Sequence, residues 1–496
     1  MARGPEARIS GPLKPPVFPS GMSEMRVLLI YPNIEQNSAL PQVGISSLLA
    51  CLKEAGHETG LLDFTYLDLG EAAATLRRRL ADFEPELVGL SIRSFEWDFV
   101  RAQLLPVLAK ADIPVVAGGP HPTAAPEEVI SESGVSYLVR GEGEETLVAL
   151  TAAFGSGAAP ETVDGLWVKD SGAVKSSEVR PLVSDLDSLP LPDWSHWDQR
   201  HFSDSHSRVF FKGLNRIGAL ESSRGCPYSC PYCITPMLHG LYEGKGKYHR
   251  EKSVERIIAE ALDRKEKFSL DYVNFIDETF LLKSSRVEEF CGLWSREVGL
   301  PFRFTTRPET VTEERIRMVK AAGANLIGLG IESGDPEYRQ EHLNRGYSQK
   351  QVRDAVDIIS RSGIKTFGFF VMGMPHETRE SIERTLDMVW SLNLDHYMVS
   401  LCYPFKGTPF YDIAVSEGML EEGLTTAANV WEDTPLSLPG LKRSRLVRLR
   451  NLVSYFGSKN PRWRPLMRLC EKSSAAYFAF KVFRKIERRL SPSDIL

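Results

Sequence analysis

The sequence has no long apolar run, no large excess of charge and few cysteines, and each shortage excludes a class of protein. Apolar runs such as the one at 27–30 fall far short of the ~20 residues that a membrane-spanning helix needs, which excludes a transmembrane protein. Sixty Lys and Arg against 65 Asp and Glu, with 42% hydrophobic residues, exclude a disordered or fibrous chain. Seven cysteines in 496 residues are too few for a disulfide framework.

The first residues have five prolines between Pro5 and Pro19 and lack the apolar segment of a secretory signal. We therefore expect a cytoplasmic location and a loose tail over residues 1–24, with Met22 or Met25 as candidate true starts. At ~150 residues per domain, the length predicts about three structural units.

Residues 25–154 alternate short apolar runs with helical patterns, which predicts a parallel, doubly wound α/β sheet. The predicted strands lie at 26–31, 57–64, 87–92, 114–117 and near 137. Ligands of such sheets bind at the carboxyl ends of the strands. Those ends hold polar residues and paired glycines: Asn33, Ser91, Gly118-Gly119-Pro120-His121 and Gly141-Glu142-Gly143-Glu144.

The rest of the chain divides into three predicted parts. Residues 155–213 read as a hairpin and a proline-broken linker, and residues 214–411 hold six strand–helix units that predict a partial (β/α)6 barrel. Residues 412–496 are predicted to be helical. They are also basic, because 441–496 has 15 Lys and Arg against three Asp and Glu. That excess is typical of a solvated cationic face, and it is also compatible with an anionic membrane surface.

Three cysteines lie within eight residues after the first predicted barrel strand. Cys226, Cys230 and Cys233 form the pattern C-x3-C-x2-C on a loop that contains two prolines. Three thiolates at this spacing can hold three corners of an iron–sulfur cluster and leave one iron open. The alternative is a structural zinc site completed by His239, since a closed zinc site needs four ligands.

The second predicted domain resembles the radical S-adenosylmethionine (SAM) enzymes, whose signature is C-x3-C-x2-C with an aromatic before the last cysteine. Four further segments match family motifs in order: 275–280, 330–334, 373–378 and 403–409. The resemblance implies a 4Fe-4S cluster on Cys226, Cys230 and Cys233. It also implies SAM contacts from these positions: Tyr232, Asp277, Glu278, Glu332, Ser333, Gly373 and Pro375.

The first predicted domain resembles the cobalamin-binding domain that precedes the barrel in one branch of that family. The resemblance implies cobalamin contacts from these residues: Asn33, Gly44, Ser91, Gly118, Gly119, His121, Gly141, Glu142 and Gly143. The Asp-x-His-x-x-Gly motif of other cobalamin proteins is absent from the sequence. We therefore expect cobalamin without a histidine under the cobalt, and a flavodoxin-like domain that has lost its ligand is the alternative.

The resemblance implies a methyltransferase that acts on an unactivated carbon, or on phosphorus, through a 5'-deoxyadenosyl radical and methylcobalamin. Oxidative cyclisation or rearrangement needs the same two cofactors, and a non-catalytic cobalamin and iron–sulfur sensor is a third hypothesis. A tRNA methylthiotransferase is disfavoured because the first domain has only Cys51 for a second cluster. The remaining cysteines, Cys291, Cys402 and Cys470, are predicted to be buried.

The expected partners follow from the same resemblance. They are a small-molecule or lipid substrate and an electron donor such as flavodoxin or ferredoxin, with no nucleic acid. Peripheral membrane contact would involve the basic C-terminal segment.

Overall fold

The computed structural model describes residues 24–36, 40–203, 216–420, 432–456 and 463–490, arranged around two larger β-sheets. Most of the tail predicted at 1–24, and the end of the linker predicted at 155–213, lie outside the described residues. Residues 421–431, 457–462 and 491–496 of the predicted C-terminal region also lie outside them.

The first sheet has seven strands in the order β2-β1-β3-β4-β5-β6-β7. The strands are β1 Arg26–Tyr31, β2 Glu58–Asp63, β3 Leu87–Ser91, β4 Val115–Gly118, β5 Tyr137–Val139, β6 Leu166–Asp170 and β7 Ala173–Lys175. The helices are α1 Val43–Glu54, α2 Ala72–Phe83, α3 Trp97–Phe99, α4 Leu105–Leu108, α5 Pro120–Ala124, α6 Pro126–Ser131, α7 Glu144–Ser156 and α8 Arg200–Ser203. A π-helical stretch, Val100–Leu104, joins α3 to α4.

Strand β1 explains why helices cover both faces of this sheet. Val27 and Leu29 face the core that contains residues of α1 and α7, whereas Leu28 and Ile30 face the core that contains residues of α2 and α4. Alternate side chains of a strand point to opposite faces of the sheet. A strand that is apolar at every position therefore needs a helix layer on both faces. Strands β1 to β5 are parallel, and the predicted doubly wound α/β architecture is confirmed.

The hairpin β6–β7 extends the first sheet. The sequence places it in the linker, but β6 pairs antiparallel with β5, for example Tyr137 with Val168. The local pattern predicts a hairpin, and it does not say which edge strand the hairpin will pair with. After the hairpin, the chain crosses to the barrel with Trp194 and Trp197 buried in the core that both units share.

The second large sheet is six-stranded and parallel, in the order β15-β14-β13-β12-β11-β8, which is the predicted partial barrel. Its strands are β8 Ile217–Leu220, β11 Tyr272–Phe275, β12 Phe302–Thr306, β13 Ala324–Glu332, β14 Lys365–Met372 and β15 His396–Leu401, with the short pair β9 Ser223–Arg224 and β10 Arg250–Glu251 beside it. Its helices are α9 Thr235–Leu241, α10 Val254–Phe268, α11 Ser284–Leu293, α12 Glu313–Ala321, α13 Pro336–His342, α14 Gln349–Arg361, α15 Arg379–Ser391 and α16 Pro409–Ser416.

The C-terminal region is helical where it is described. It contains α17 Arg443–Phe456, α18 Arg464–Lys472 and α19 Ser474–Leu490. Helix α17 lies along the edge strand β15, where Tyr397 donates from Oη to the carbonyl of Val453 at 3.0 Å. No helix among the described residues is long and apolar enough to cross a membrane.

Candidate functional site

The cysteine loop leaves the first barrel strand in a constrained conformation. Residues of β9 turn back to pair antiparallel with β10, and the chain then reverses at Gly225, whose φ is +79°. A Cβ at Gly225 would collide with the carbonyl of Tyr248, so glycine is required there on two grounds. The loop is therefore held against the β10 side of the barrel before the first cysteine is reached.

All three cysteines of the motif are free thiols in this loop. Cys230 is buried, and Cys226 and Cys233 are half-buried. The Arg307 guanidinium, which follows β12, donates to Cys230 Sγ at 3.5 Å and stacks 3.6 Å from the Tyr228 ring. Arg307 thus reaches the loop from a strand two positions away in the sheet.

The donor set fits an iron–sulfur cluster better than a single ion. Among the described residues, no three His, Cys, Asp or Glu side chains converge closely enough to hold one metal ion. A cluster does not need such convergence, because each thiolate binds a different iron. The fourth ligand of the zinc alternative, His239, directs Nε2 to the carbonyl of Cys226 at 3.0 Å.

The acidic pair after β11 divides into one anchored and one open carboxylate. Asp277 is buried and accepts from the Oγ atoms of Ser222 (2.7 Å) and Ser223 (2.6 Å) and from the Ser222 N–H. We expected both carboxylates to face a ligand, but Asp277 instead fastens the start of the cysteine loop to β11. Glu278 is exposed, and partial desolvation together with the nearby charges of Asp277 and Glu221 raises its pKa to about 7.

The motif at the end of β13 is held by a buried arginine. Glu332 has φ +64°, an unusual backbone conformation for a non-glycine residue, and it pairs with Arg345 at 3.2 Å. Ser333 is fully buried, and its Oγ lies 3.3 Å from Thr385 Oγ1. Tyr232 of the cysteine loop lies beside them, since its ring centroid is 5.7 Å from the Arg345 guanidinium.

The segment after β14 forms a tight turn around a buried carboxylate. Glu377 accepts from the backbone N–H groups of Gly373 (2.6 Å) and Met374 (3.2 Å), and burial raises the pKa of Glu377 to about 8. The carbonyl of Pro375 accepts from Tyr338 Oη at 2.7 Å. Of the predicted SAM positions, Asp277, Ser333, Gly373 and Pro375 therefore have contacts within the protein that shape the barrel rim.

A cavity of about 580 Å³ lies between the two sheets. The first domain contributes the carboxyl ends of β1, β3, β4 and β5, and the barrel contributes residues of β8, β9 and β11. Seven of the nine predicted cobalamin positions line it: Gly44, Ser91, Gly118, Gly119, Gly141, Glu142 and Gly143. The glycines keep the wall free of side chains, so a large flat ligand can approach the backbone closely.

Two predicted cobalamin positions, Asn33 and His121, lie outside the cavity lining. Asn33 is buried behind Arg93, which lines the cavity and donates to Asn33 Oδ1 at 2.9 Å. His121 packs 5.0 Å from the Trp97 ring, and burial lowers its pKa to about 4. Sequence position at a strand end predicted both, but the side chains turn into the domain; no histidine is among the described residues that line the cavity.

Buried ion pairs join the first domain to the barrel on one side of this cavity. Glu142 accepts from Arg250 at 2.6 and 2.9 Å, and Arg224 pairs with Glu144 at 2.8 Å. The Tyr242 hydroxyl accepts from the Glu142 N–H at 2.8 Å. The wall that faces the cobalamin position is therefore fixed relative to the cysteine loop.

Several residues of the site were not predicted from the sequence. Arg93, Glu221, Arg224 and Asn274 line the cavity, and Arg307 contacts a cysteine of the motif. Position gave a signal for Arg93 and Arg307, which follow strands, whereas Asn274 lies within β11 and nothing in its sequence context marks it.

Two family models match the chain in the order that the fold displays. The model of the B12 binding domain matches residues 34–151, and the model of the Radical SAM superfamily matches residues 220–389. The chain belongs to the cobalamin-binding branch of the radical SAM family. The resemblance inferred from the motifs is thereby confirmed, and the two domain descriptions agree with the predicted cofactors.

Curated relatives and a solved structure cover most of the chain. An uncharacterized methyltransferase of Pyrococcus horikoshii is 28% identical, over 80% of this chain and 85% of the relative. The anaerobic magnesium-protoporphyrin IX monomethyl ester cyclase of Rubrivivax gelatinosus is 24% identical, over 77% and 69%. The radical SAM methyltransferase TsrM of Kitasatospora setae, solved with cobalamin and a [4Fe-4S] cluster, has a TM-score of 0.63 at 20% identity, over 78% and 74%. At this identity the structure confirms the fold.

Proposed function

We propose that the protein is a cobalamin-dependent radical SAM methyltransferase. The observation that carries the proposal is the single cavity lined both by the glycine-rich strand ends of the first domain and by the barrel residues that lead into the cysteine loop. When bound, the cluster and SAM supply a carbon-centred radical and methylcobalamin supplies the methyl group. A methyl carrier and a radical generator must open onto one space for this reaction, and the cavity provides that space.

The chain's own residues position the groups. We infer that Cys226, Cys230 and Cys233 hold the cluster, and that the Glu278 carboxylate accepts the SAM ammonium. Asp277 then acts as a positioning residue, because its hydrogen bonds fix the loop that bears the cysteines. Arg307 donates to Cys230 Sγ, and such donors raise the reduction potential of a cluster.

We infer that the first domain would hold cobalamin through backbone and apolar contacts, and that no histidine would ligate its cobalt. Close packing requires glycine at position 119, because a Cβ there would lie 2.9 Å from the Ile92 nitrogen. Arg93 lines the cavity and is tethered by Glu96 at 2.5 Å. A guanidinium has no free lone pair for a metal, so Arg93 would not ligate the cobalt of a bound cobalamin.

Product analysis tests the proposal. The protein, reconstituted anaerobically with iron, sulfide, cobalamin, SAM and a strong reductant, should form both 5'-deoxyadenosine and S-adenosylhomocysteine. The Cys230→Ala variant should lose 5'-deoxyadenosine. Neither product from protein with an intact cluster and bound cobalamin would contradict the proposal and favour a sensor.

Oxidative cyclisation or rearrangement is the second candidate function, favoured by the similarity to the cyclase of Rubrivivax gelatinosus. It uses the radical without methyl transfer. In the same assay, 5'-deoxyadenosine without S-adenosylhomocysteine, in the presence of turned-over substrate, would replace the methyltransferase proposal with this one.

The partners we propose are a small-molecule or lipid substrate and an electron donor of the flavodoxin or ferredoxin class. Contact with a membrane is a separate proposal, because it depends on α18 and α19 rather than on the strand ends.

A further inference from the structure

The C-terminal helices expose a concentration of large apolar side chains. The described part of the chain has ten large hydrophobic residues with highly exposed side chains, and seven of them lie on or beside α18 and α19. The seven are Trp463, Leu466, Leu469, Phe478, Val482, Phe483 and Ile486. We call this set the apolar stripe. Single exposed apolar residues are ordinary, but seven of them on or beside two consecutive helices indicate an interaction surface.

The side of α19 that packs on α17 is centred on Phe480, whose ring lies 5.3 Å from Tyr455 and 5.5 Å from Phe456. Two members of the apolar stripe also reach α17, since the Phe483 ring lies 6.3 Å from Tyr455 and the Trp463 ring lies 6.5 Å from Phe456. Phe478, Val482 and Ile486 are four residues apart, so they form one line on the outer face. Phe478 is 68% exposed, more than any other large hydrophobic residue that is described.

Positive charge borders the stripe. Lys481 and Lys485 of α19 and Lys472 of α18 are exposed, and the ion pairs found among the described residues include none of them. The whole segment 441–496 has 15 Lys and Arg against three Asp and Glu, which gives it a net charge of +12 in a chain of net charge -5. Arginines of the segment such as Arg445, Arg464 and Arg468 are paired with carboxylates, so the cations that border the exposed apolar side chains are chiefly these lysines.

We propose that α18 and α19 form a docking surface for an anionic lipid bilayer. A helix that lies in the membrane interface buries Trp, Phe and Leu at the acyl boundary while lysines bind the phosphates of the headgroups. A second copy of the chain fits less well, because a symmetric contact would bring two strongly positive segments together.

This docking surface does not depend on methyl transfer, so its test is independent of the proposed function. The full chain would be sedimented with vesicles of phosphatidylcholine alone or of phosphatidylcholine and phosphatidylglycerol at 7:3, at 50 and 500 mM salt. We expect binding to the anionic vesicles at low salt, weakened at high salt by screening of the lysines. Binding to phosphatidylcholine alone should be weaker by about 100-fold, since each of the three lysines near the surface adds about 1 kcal/mol and every ~1.4 kcal/mol is a factor of ten.

Variants separate the stripe from its surroundings. The triple variant F478S/V482S/I486S should lose about tenfold or more of its binding to anionic vesicles, because it removes the buried apolar area. The matched control is Val415→Ser, which removes an apolar side chain that is 52% exposed outside the stripe. In the lysine variant K481Q/K485Q, binding to anionic vesicles should depend less on the salt concentration than it does in the wild type. Circular dichroism and the thermal midpoint would check that each variant is folded.

Two results would overturn the proposal. One is wild-type protein that stays in the supernatant with anionic vesicles at 50 mM salt. The other is vesicle binding that the triple variant retains in full. Light scattering on the wild type at increasing concentration adds a third outcome: a dimer abolished by the triple variant, without vesicle binding, would assign the stripe to a second copy.

Discussion

The two sides of the central cavity differ in the kinds of residue that line them. The side formed by the first sheet consists largely of glycines and apolar residues, with Arg93, Glu142 and Glu144 as its charged members. The barrel side is a smaller, more polar wall that includes Glu221 and Arg224. Backbone surfaces accept a large ligand through shape, and charged surfaces orient a small ligand through directed bonds. Substitutions on the two sides should therefore have different effects: those near the cysteines should remove the cluster, and those at the glycines should weaken cobalamin binding.

The largest expected effect is on the barrel side. Cys230→Ala should remove nearly all cluster iron and lower SAM cleavage more than about 100-fold, because a cluster with two thiolates is not held. Cobalamin binding, measured by absorbance after desalting, should persist, since it depends on the other wall. Cys291→Ala is the control: that buried thiol lies on α11, outside the motif. Loss of cobalamin together with the iron would show that the two sides do not fail separately.

The ion pairs between the two sides give the next effect. Arg250→Met removes the nearest partner of the half-buried Glu142, which keeps only Arg224 at 3.5 Å as a cation, and such a loss costs up to about 3 kcal/mol. Urea denaturation should record that loss in the transition of the first domain. Arg361→Met, in the exposed pair with Glu313, should change stability by no more than about 0.5 kcal/mol.

A double variant sharpens this result. Glu142→Gln combined with Arg250→Met removes the uncompensated charge and should recover part of the lost stability. If the double variant is as unstable as the sum of the single variants, the pair does not act as a unit.

On the glycine side, Gly141→Ala should weaken cobalamin binding by about 30-fold while the iron content stays unchanged. The residue has φ +77°, and a Cβ there would collide with the Tyr242 hydroxyl that accepts from Glu142. Strain and displacement together cost about 2 kcal/mol. Gly157→Ala is a matched control with φ +69° and open space around its Cβ, so it isolates the backbone strain alone. Equal losses in the two variants would mean that the Tyr242 contact has no part in binding.

The comparison also explains what could be predicted from the sequence. The alternation of strands and helices predicted both parallel sheets, because the apolar patterns of buried strands and amphipathic helices repeat within a few residues. The cysteines and paired glycines were found because their spacing is local too. The contacts that join the sides were not, since Glu142 and Arg250 are 108 residues apart. Asn33 and His121 were placed at strand ends correctly, but the direction of a side chain after a strand depends on packing that no local pattern contains.

The smallest effect concerns proton binding on the charged side. The pKa of Glu278 is raised to about 7, so the carboxylate is mostly ionised at pH 8 and mostly protonated at pH 6. An ammonium binds the ionised form, and the affinity for SAM should therefore fall by up to about tenfold from pH 8 to pH 6. Isothermal titration of the cluster-loaded protein with SAM would measure the fall.

Glu278→Gln decides whether this carboxylate is the group that titrates. The variant should bind SAM weakly at pH 8 and should show little further change at pH 6, because the amide has no proton to gain in that range. A variant that keeps the full pH dependence would move the titration to another group and leave Glu278 without a role in SAM binding. A SAM affinity of the wild type that does not change between pH 8 and pH 6 would also contradict this role of Glu278. Glu278 would then be no more responsive to the ligand than the anchored Asp277.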